Sequence, residues 1–155
     1  MDKERSVTAL GRILIVEDDP NDVELTMTAL GDYNLANEVV ITRDGQQALD
    51  YLYSQGQYAG RSPENPAVML LDLKLPKISG LEILQKIKAD DRLKTIPVVV
   101  LTSSNEEKDV MRSYSLGVNA YVVKPVEFHE FVNAVKELGA FWAIVNEPPP
   151  GSAKK

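Results

Sequence analysis

Ala67-Val68-Met69-Leu70-Leu71-Asp72-Leu73-Lys74-Leu75-Pro76 is an apolar run that stops at a carboxylate and is broken by a proline four positions later. An uninterrupted run of about five apolar residues suits a parallel strand covered on both faces. Asp72 then emerges at the carboxyl end of that strand, the edge where open α/β sheets hold ligands. Many strands end in Asp simply because it is a good turn residue. The meaning of Asp72 therefore depends on what the other strand ends carry.

Upstream, Arg12-Ile13-Leu14-Ile15-Val16 is a second branched apolar run, tipped by Glu17-Asp18-Asp19-Pro20. Pro20 suits the first position of a helix and Asp19 suits its cap. Val23, Met27 and Leu30 space the expected inner face of that helix, and Gly31 ends it. Val39-Val40-Ile41 predicts a short strand, and Asp44 caps a helix with Ala48, Leu49 and Leu52 inward. Gly56, Gly60, Pro63 and Pro66 mark residues 54–66 as a long surface loop.

Downstream, Pro76 and Gly80 bound a loop, and Leu81, Leu84, Ile87 and Lys88 predict the next helix by their three and four spacing. Pro97-Val98-Val99-Val100-Leu101-Thr102 is another buried-type strand, ending in hydroxyls at Thr102, Ser103 and Ser104. A helix over about 105–116 stops at Gly117, and Ala120-Tyr121-Val122-Val123 predicts a fifth strand that ends in Lys124-Pro125. A last helix runs over about 126–145, and residues 147–155, with three consecutive prolines, read as a disordered tail. Five strand and helix alternations with short connections imply one α/β domain, a five-stranded parallel sheet sandwiched by five helices. Neither Gly-x-Gly-x-x-Gly nor a Walker phosphate loop is present, which removes the common nucleotide-binding versions of this architecture.

Composition narrows the chemistry. The 155 residues include 23 acidic and 17 basic side chains, for a formal charge of −6, which argues against a nucleic-acid partner. Cysteine is absent and His129 is the lone histidine, so neither a thiolate nor a histidine metal site can form. No apolar signal core follows Met1-Asp2-Lys3-Glu4-Arg5, and no uncharged run approaches the ~18 residues needed to span a bilayer. The expected location is the cytoplasm, without a membrane partner.

In a parallel sheet all carboxyl ends share one edge, so Glu17, Asp18, Asp72, Thr102 and Lys124 converge although they are distant in sequence. Three carboxylates repel one another and attract a hard cation with oxygen ligands; Mg²⁺ fits, with water completing its shell. A carboxylate beside such an ion can attack a phosphoryl group, while metal and lysine neutralise the phosphoryl oxygens. Taken singly, each residue has a plainer reading as turn former, cap or surface cation. Taken together, several strands would have to end in matching chemistry by chance.

Ile15-Val16-Glu17-Asp18-Asp19-Pro20, Leu71-Asp72-Leu73-Lys74-Leu75-Pro76, Leu101-Thr102-Ser103 and Tyr121-Val122-Val123-Lys124-Pro125 closely resemble the receiver domain of two-component response regulators. The resemblance covers residues 8–146 as a domain. It implies the flavodoxin-like doubly wound order 2-1-3-4-5, with Asp72 as phosphoacceptor. Glu17, Asp18, Asp72 and the backbone carbonyl of Lys74 then hold Mg²⁺, and Asp19 is a helix cap. Thr102 resembles the switch hydroxyl, Lys124 the lysine that pairs with the phosphoryl group, and Tyr121 the aromatic that turns inward when Thr102 moves. For Tyr121 the alternative is an ordinary half-buried strand aromatic. A sensor histidine kinase is the implied donor, and the implied output is the face of the fourth helix, fifth strand and last helix. Self-dephosphorylation is the implied extent of its catalysis.

The last predicted helix is apolar beyond one stripe. Phe128, Phe131, Val132, Val135, Leu138, Trp142 and Val145 make a core face, whereas Phe141 and Ile144 fall off it. Phe141, Trp142 and Ile144 are thus candidate interface residues for a homodimer or a partner, unless Phe141 folds back over the core edge. The long loop and the Phe141-Trp142 ending resemble receivers associated with bacterial phytochrome kinases. Two other functions compete: a docking module indifferent to phosphorylation, and an aspartate-nucleophile phosphohydrolase. The second usually has an acid two residues after the nucleophile, where this chain has Lys74.

Overall fold

The computed structural model describes residues 12–31, 38–102, 107–118 and 120–123. Its elements alternate: β1 (Arg12–Val16), α1 (Pro20–Gly31), β2 (Glu38–Thr42), α2 (Gly45–Leu52), a 3₁₀ turn (Gly56–Tyr58), β3 (Val68–Leu71), α3 (Gly80–Lys88), β4 (Val98–Thr102), α4 (Glu107–Ser115) and β5 (Ala120–Val123). All four strand pairings are parallel, in the order β2-β1-β3-β4-β5. This is the flavodoxin-like order, with four helices among the described residues. The last predicted helix, Lys124, Phe141, Trp142, Ile144, the domain limits at 8 and 146 and the 147–155 tail lie outside them. No helix among the described residues is long and apolar enough to cross a membrane.

β3 and β4 are buried along their whole length, as strands covered on both faces must be, whereas β2 is half-buried, as its place at the sheet edge dictates. α2 starts where the Asp44 carboxylate accepts the Gln47 N–H at 2.8 Å. α3 starts in a capping box: Ser79 Oγ accepts from the Glu82 N–H at 3.2 Å and Glu82 Oε1 accepts from the Ser79 N–H at 3.0 Å. It buries Ile83, Leu84 and Ile87, each contributing on the order of 1.5–3 kcal/mol.

One local expectation changes. In α1, Val23 is buried as expected but Met27 is exposed, and Thr26 takes the inward position instead. Residues 54–66 are the expected surface loop, mostly exposed, and specific contacts tie it down. The Arg61 guanidinium lies 3.8 Å from the Tyr51 ring centre and donates to the carbonyls of Tyr51, Ser62 and Glu64. Asn65 Nδ2 donates to the Arg92 carbonyl at 2.8 Å, tying the segment to the turn after α3.

Candidate functional site

Register builds the site. Val16 of β1 pairs with Leu71 of β3, and just beyond them the Asp72 N–H donates to the Val16 carbonyl at 3.1 Å while the Glu17 N–H donates to the Thr42 carbonyl at 3.0 Å. Glu17 and Asp72 therefore leave adjacent strands side by side. Leu71 also pairs with Val100, so Thr102 ends β4 two residues further along, wholly buried, and Thr102 in turn pairs with Val123 of β5. Carboxylate oxygens of Glu17, Asp18 and Asp72 all lie within 4.8 Å of one another, with Glu17 and Asp72 buried and Asp18 exposed.

Local hydrogen bonds hold these groups. Glu17 Oε2 accepts from the Asp19 N–H at 3.2 Å, which folds the acidic turn back on itself. Asp19 caps α1: its carboxylate accepts from the Asn21 N–H at 2.8 Å and its carbonyl from the Val23 N–H at 3.0 Å. Asp72 Oδ1 accepts from the Lys74 N–H at 3.1 Å, so the chain turns sharply after the strand. The Lys74 side chain is exposed. Tyr121 in β5 is half-buried and packs against the main core cluster.

The donor set fits a hard divalent cation: three carboxylates offer oxygen only. Ligand oxygens around an octahedral ion bound at about 2.1 Å stand roughly 3–4 Å apart, so modest side-chain rotation brings this trio together. Strand ends supply the convergence, which explains why residues 55 positions apart behave as one cluster.

Residues 13–136 match the model of the response regulator receiver domain. The chain belongs to the response regulator receiver family. The receiver is 61% identical to a solved bacteriophytochrome response regulator, RtBRR, with a TM-score of 0.81, covering 93% of this chain and 87% of that one. It is 43% identical to the cyanobacterial phytochrome response regulator RcpA, solved in phosphorylated form, with a TM-score of 0.72, covering 85% of this chain and 93% of that one. Response regulator Rcp1 of Synechocystis sp. is 43% identical over 130 residues, 84% of this chain and 87% of Rcp1. A Mn²⁺-bound structure of Rcp1 has a TM-score of 0.72, at 41% identity over 86% of this chain and 94% of that one. This receiver is thus related to phytochrome response regulators, and receivers of this kind are signalling proteins.

Some features of the site go beyond what sequence reasoning names. Gly80, which bounds a loop in the sequence, begins α3 directly against the backbone of Asp72 and Leu73. Lys77 adopts a left-handed backbone with φ of 71°, and its ammonium stands 3.7 Å from the Asp44 carboxylate. The capping box Ser79-x-x-Glu82 is a sequence signal that marks the start of α3.

Proposed function

We propose that this receiver accepts a phosphoryl group from a histidine kinase on Asp72, in a Mg²⁺-dependent reaction, within a phytochrome-linked two-component system. One observation carries the reading. Three carboxylates from two adjacent strand ends gather within 4.8 Å, beside a buried hydroxyl at the next strand end. Carboxylates this close repel one another, and a cation held among them relieves that repulsion. The phosphorylated RcpA and Mn²⁺-bound Rcp1 structures support the same chemistry by relationship.

Glu17, Asp18, Asp72 and the Lys74 carbonyl would hold the ion. When bound, Mg²⁺ neutralises negative charge on the transferring phosphoryl oxygens. An Asp72 carboxylate oxygen attacks phosphorus while the phosphorus–nitrogen bond of the phosphohistidine breaks and its electron pair returns to the imidazole. The phosphoryl group carries about −1.5 to −2 charges, in place of the single charge of the Asp72 carboxylate, and three acceptor oxygens. The Thr102 hydroxyl donates to one of them, and Lys124 pairs with another. Withdrawal of Thr102 toward Asp72 leaves room for the Tyr121 ring to turn inward, which shifts the population of the face built from α4, β5 and the segment that follows. Water then releases phosphate from Asp72 and resets the protein.

We further take the receiver to act in the cytoplasm as a homodimer, with Phe141, Trp142 and Ile144 as its interface, on the strength of the sequence pattern. The test is phosphoryl transfer from a phosphorylated histidine kinase in Mg²⁺. Label should appear on the wild type, vanish in EDTA and be absent from Asp72→Asn. Label that persists on Asp72→Asn refutes the assignment. Size measured with and without beryllofluoride, a phosphoryl mimic, separates this reading from a docking module that ignores phosphorylation.

A further inference from the structure

Three described glycines would hold a Cβ closer than 3.0 Å to a neighbour, and they differ in what they touch; at Gly56 it is only the outer end of the Asp50 side chain. A Cβ on Gly45 would meet side-chain atoms, Ile78 Cβ at 2.8 Å and Ile83 Cδ1 at 2.9 Å, with the Ile78 carbonyl at 3.0 Å. A Cβ on Gly80 would meet backbone only: the carbonyl oxygen of Asp72, Leu73 Cα at 2.6 Å and the Asp72 carbonyl carbon at 3.0 Å. At Gly45 the Ile83 methyl can rotate away but the Ile78 Cβ and carbonyl are held by their backbone, whereas at Gly80 the closest neighbours are all backbone, so relief requires the peptide that follows Asp72 to move.

The Gly80 N–H donates to the Leu73 carbonyl at 2.9 Å, and the Lys74 N–H donates to Asp72 Oδ1 at 3.1 Å. The capping box holds the first turn of α3 rigid from the other side. The strand end, the turn carrying Lys74 and the start of α3 thus form one closed unit with Gly80 as its contact point. We propose that Gly80 is a positioning residue for phosphoryl transfer: by lacking a Cβ it seats α3 on the Asp72–Leu73 peptide and fixes the Asp72 carboxylate and the Lys74 carbonyl against Glu17 and Asp18. This rests on the proposed phosphoacceptor role of Asp72.

The test compares Gly80→Ala with Leu93→Ala, which opens the core ahead of β4 at the opposite edge of the sheet, in the full chain and at a temperature where circular dichroism shows both folded. Mg²⁺ affinity is read by calorimetry and Asp72 phosphorylation by mass increase with acetyl phosphate. Gly80→Ala should lose about tenfold or more in Mg²⁺ affinity, the scale seen when groups that orient metal ligands are disturbed. Leu93→Ala should lose stability yet keep Mg²⁺ affinity near that of the wild type. Equal losses in the two variants, or wild-type affinity and phosphorylation in Gly80→Ala, overturn the proposal. A second measurement needs no variant: in the wild type, Mg²⁺ should slow hydrogen exchange of the Gly80 amide along with that of Lys74. Slowing at Lys74 without slowing at Gly80 overturns the proposal even where Gly80→Ala does not fold. A wild type that neither binds Mg²⁺ nor takes phosphate would instead defeat the underlying function.

Discussion

Replacing Asp18 by Asn should make the metal-free receiver more stable and the receiver in Mg²⁺ less responsive, a reversal of sign that packing alone cannot produce. Asp18 stands within 4.8 Å of both the Glu17 and Asp72 carboxylates and is exposed. At that separation two like charges repel by about 0.9 kcal/mol at the dielectric constant of water, the appropriate limit for an exposed group. Two such pairs give about 1–2 kcal/mol, and the amide keeps the size of the carboxyl group. Physiological salt, with a screening length of about 8 Å, should reduce the gain to roughly half. Urea denaturation in EDTA at low ionic strength measures it, and for a chain of this size each kcal/mol raises Tm by about 2–4 °C. The same titration repeated in Mg²⁺ should stabilise the wild type by mass action and leave Asp18→Asn nearly unmoved. A variant that is less stable than wild type in EDTA, or equally stabilised by Mg²⁺, refutes the reasoning.

Three further outcomes follow from other parts of the fold. Arg61→Lys should cost about 1–3 kcal/mol in thermal unfolding, because an ammonium cannot both cover the Tyr51 ring and reach three separate carbonyls as the planar guanidinium does; wild-type stability would show that Arg61 is not the clamp. Ser113→Ala should raise stability by about 1 kcal/mol, since its hydroxyl is wholly buried and has no hydrogen-bond partner among the described residues; a loss in chemical denaturation would contradict this. Tyr53→Phe should flatten the pH dependence of stability at both ends. Burial first, and then its 2.8 Å hydrogen bond to Asp90, raise the phenol above its usual range, so its contribution is present below about pH 10 and is lost as pH rises through the folded value. That same hydrogen bond, followed by the Arg92 N–H, holds the Asp90 carboxyl below its usual range, so its contribution is present above about pH 4 and is lost as pH falls through the folded value. Unchanged limbs in Tyr53→Phe would show that the pair carries no linkage.

Much of this protein was legible because its signals are local. An apolar run ending in a polar residue specifies both a buried parallel strand and what stands at its exit, so Glu17, Asp18, Asp72 and Thr102 were nameable before any contact was known. Asp19 and Asp44 were legible as caps because a carboxylate before a helix meets free N–H groups within the next turn. Met27 and Thr26 were not, since the three and four spacing leaves the centre of a helical stripe uncertain by one residue and only the sheet beneath decides which side chain is covered.

By itself the sequence determined the alternation of strands and helices, the parallel sheet that alternation implies, and the chemistry carried at the strand ends. Tertiary structure decided what depends on close approach between separate elements: the order of residues 54–66 around Arg61, the pairing of Tyr53 with Asp90, and the seating of α3 on the Asp72–Leu73 peptide. The physical reason is that periodicity and capping are properties of neighbours along the chain. A missing Cβ at Gly80, by contrast, has meaning only through the backbone pressed against it.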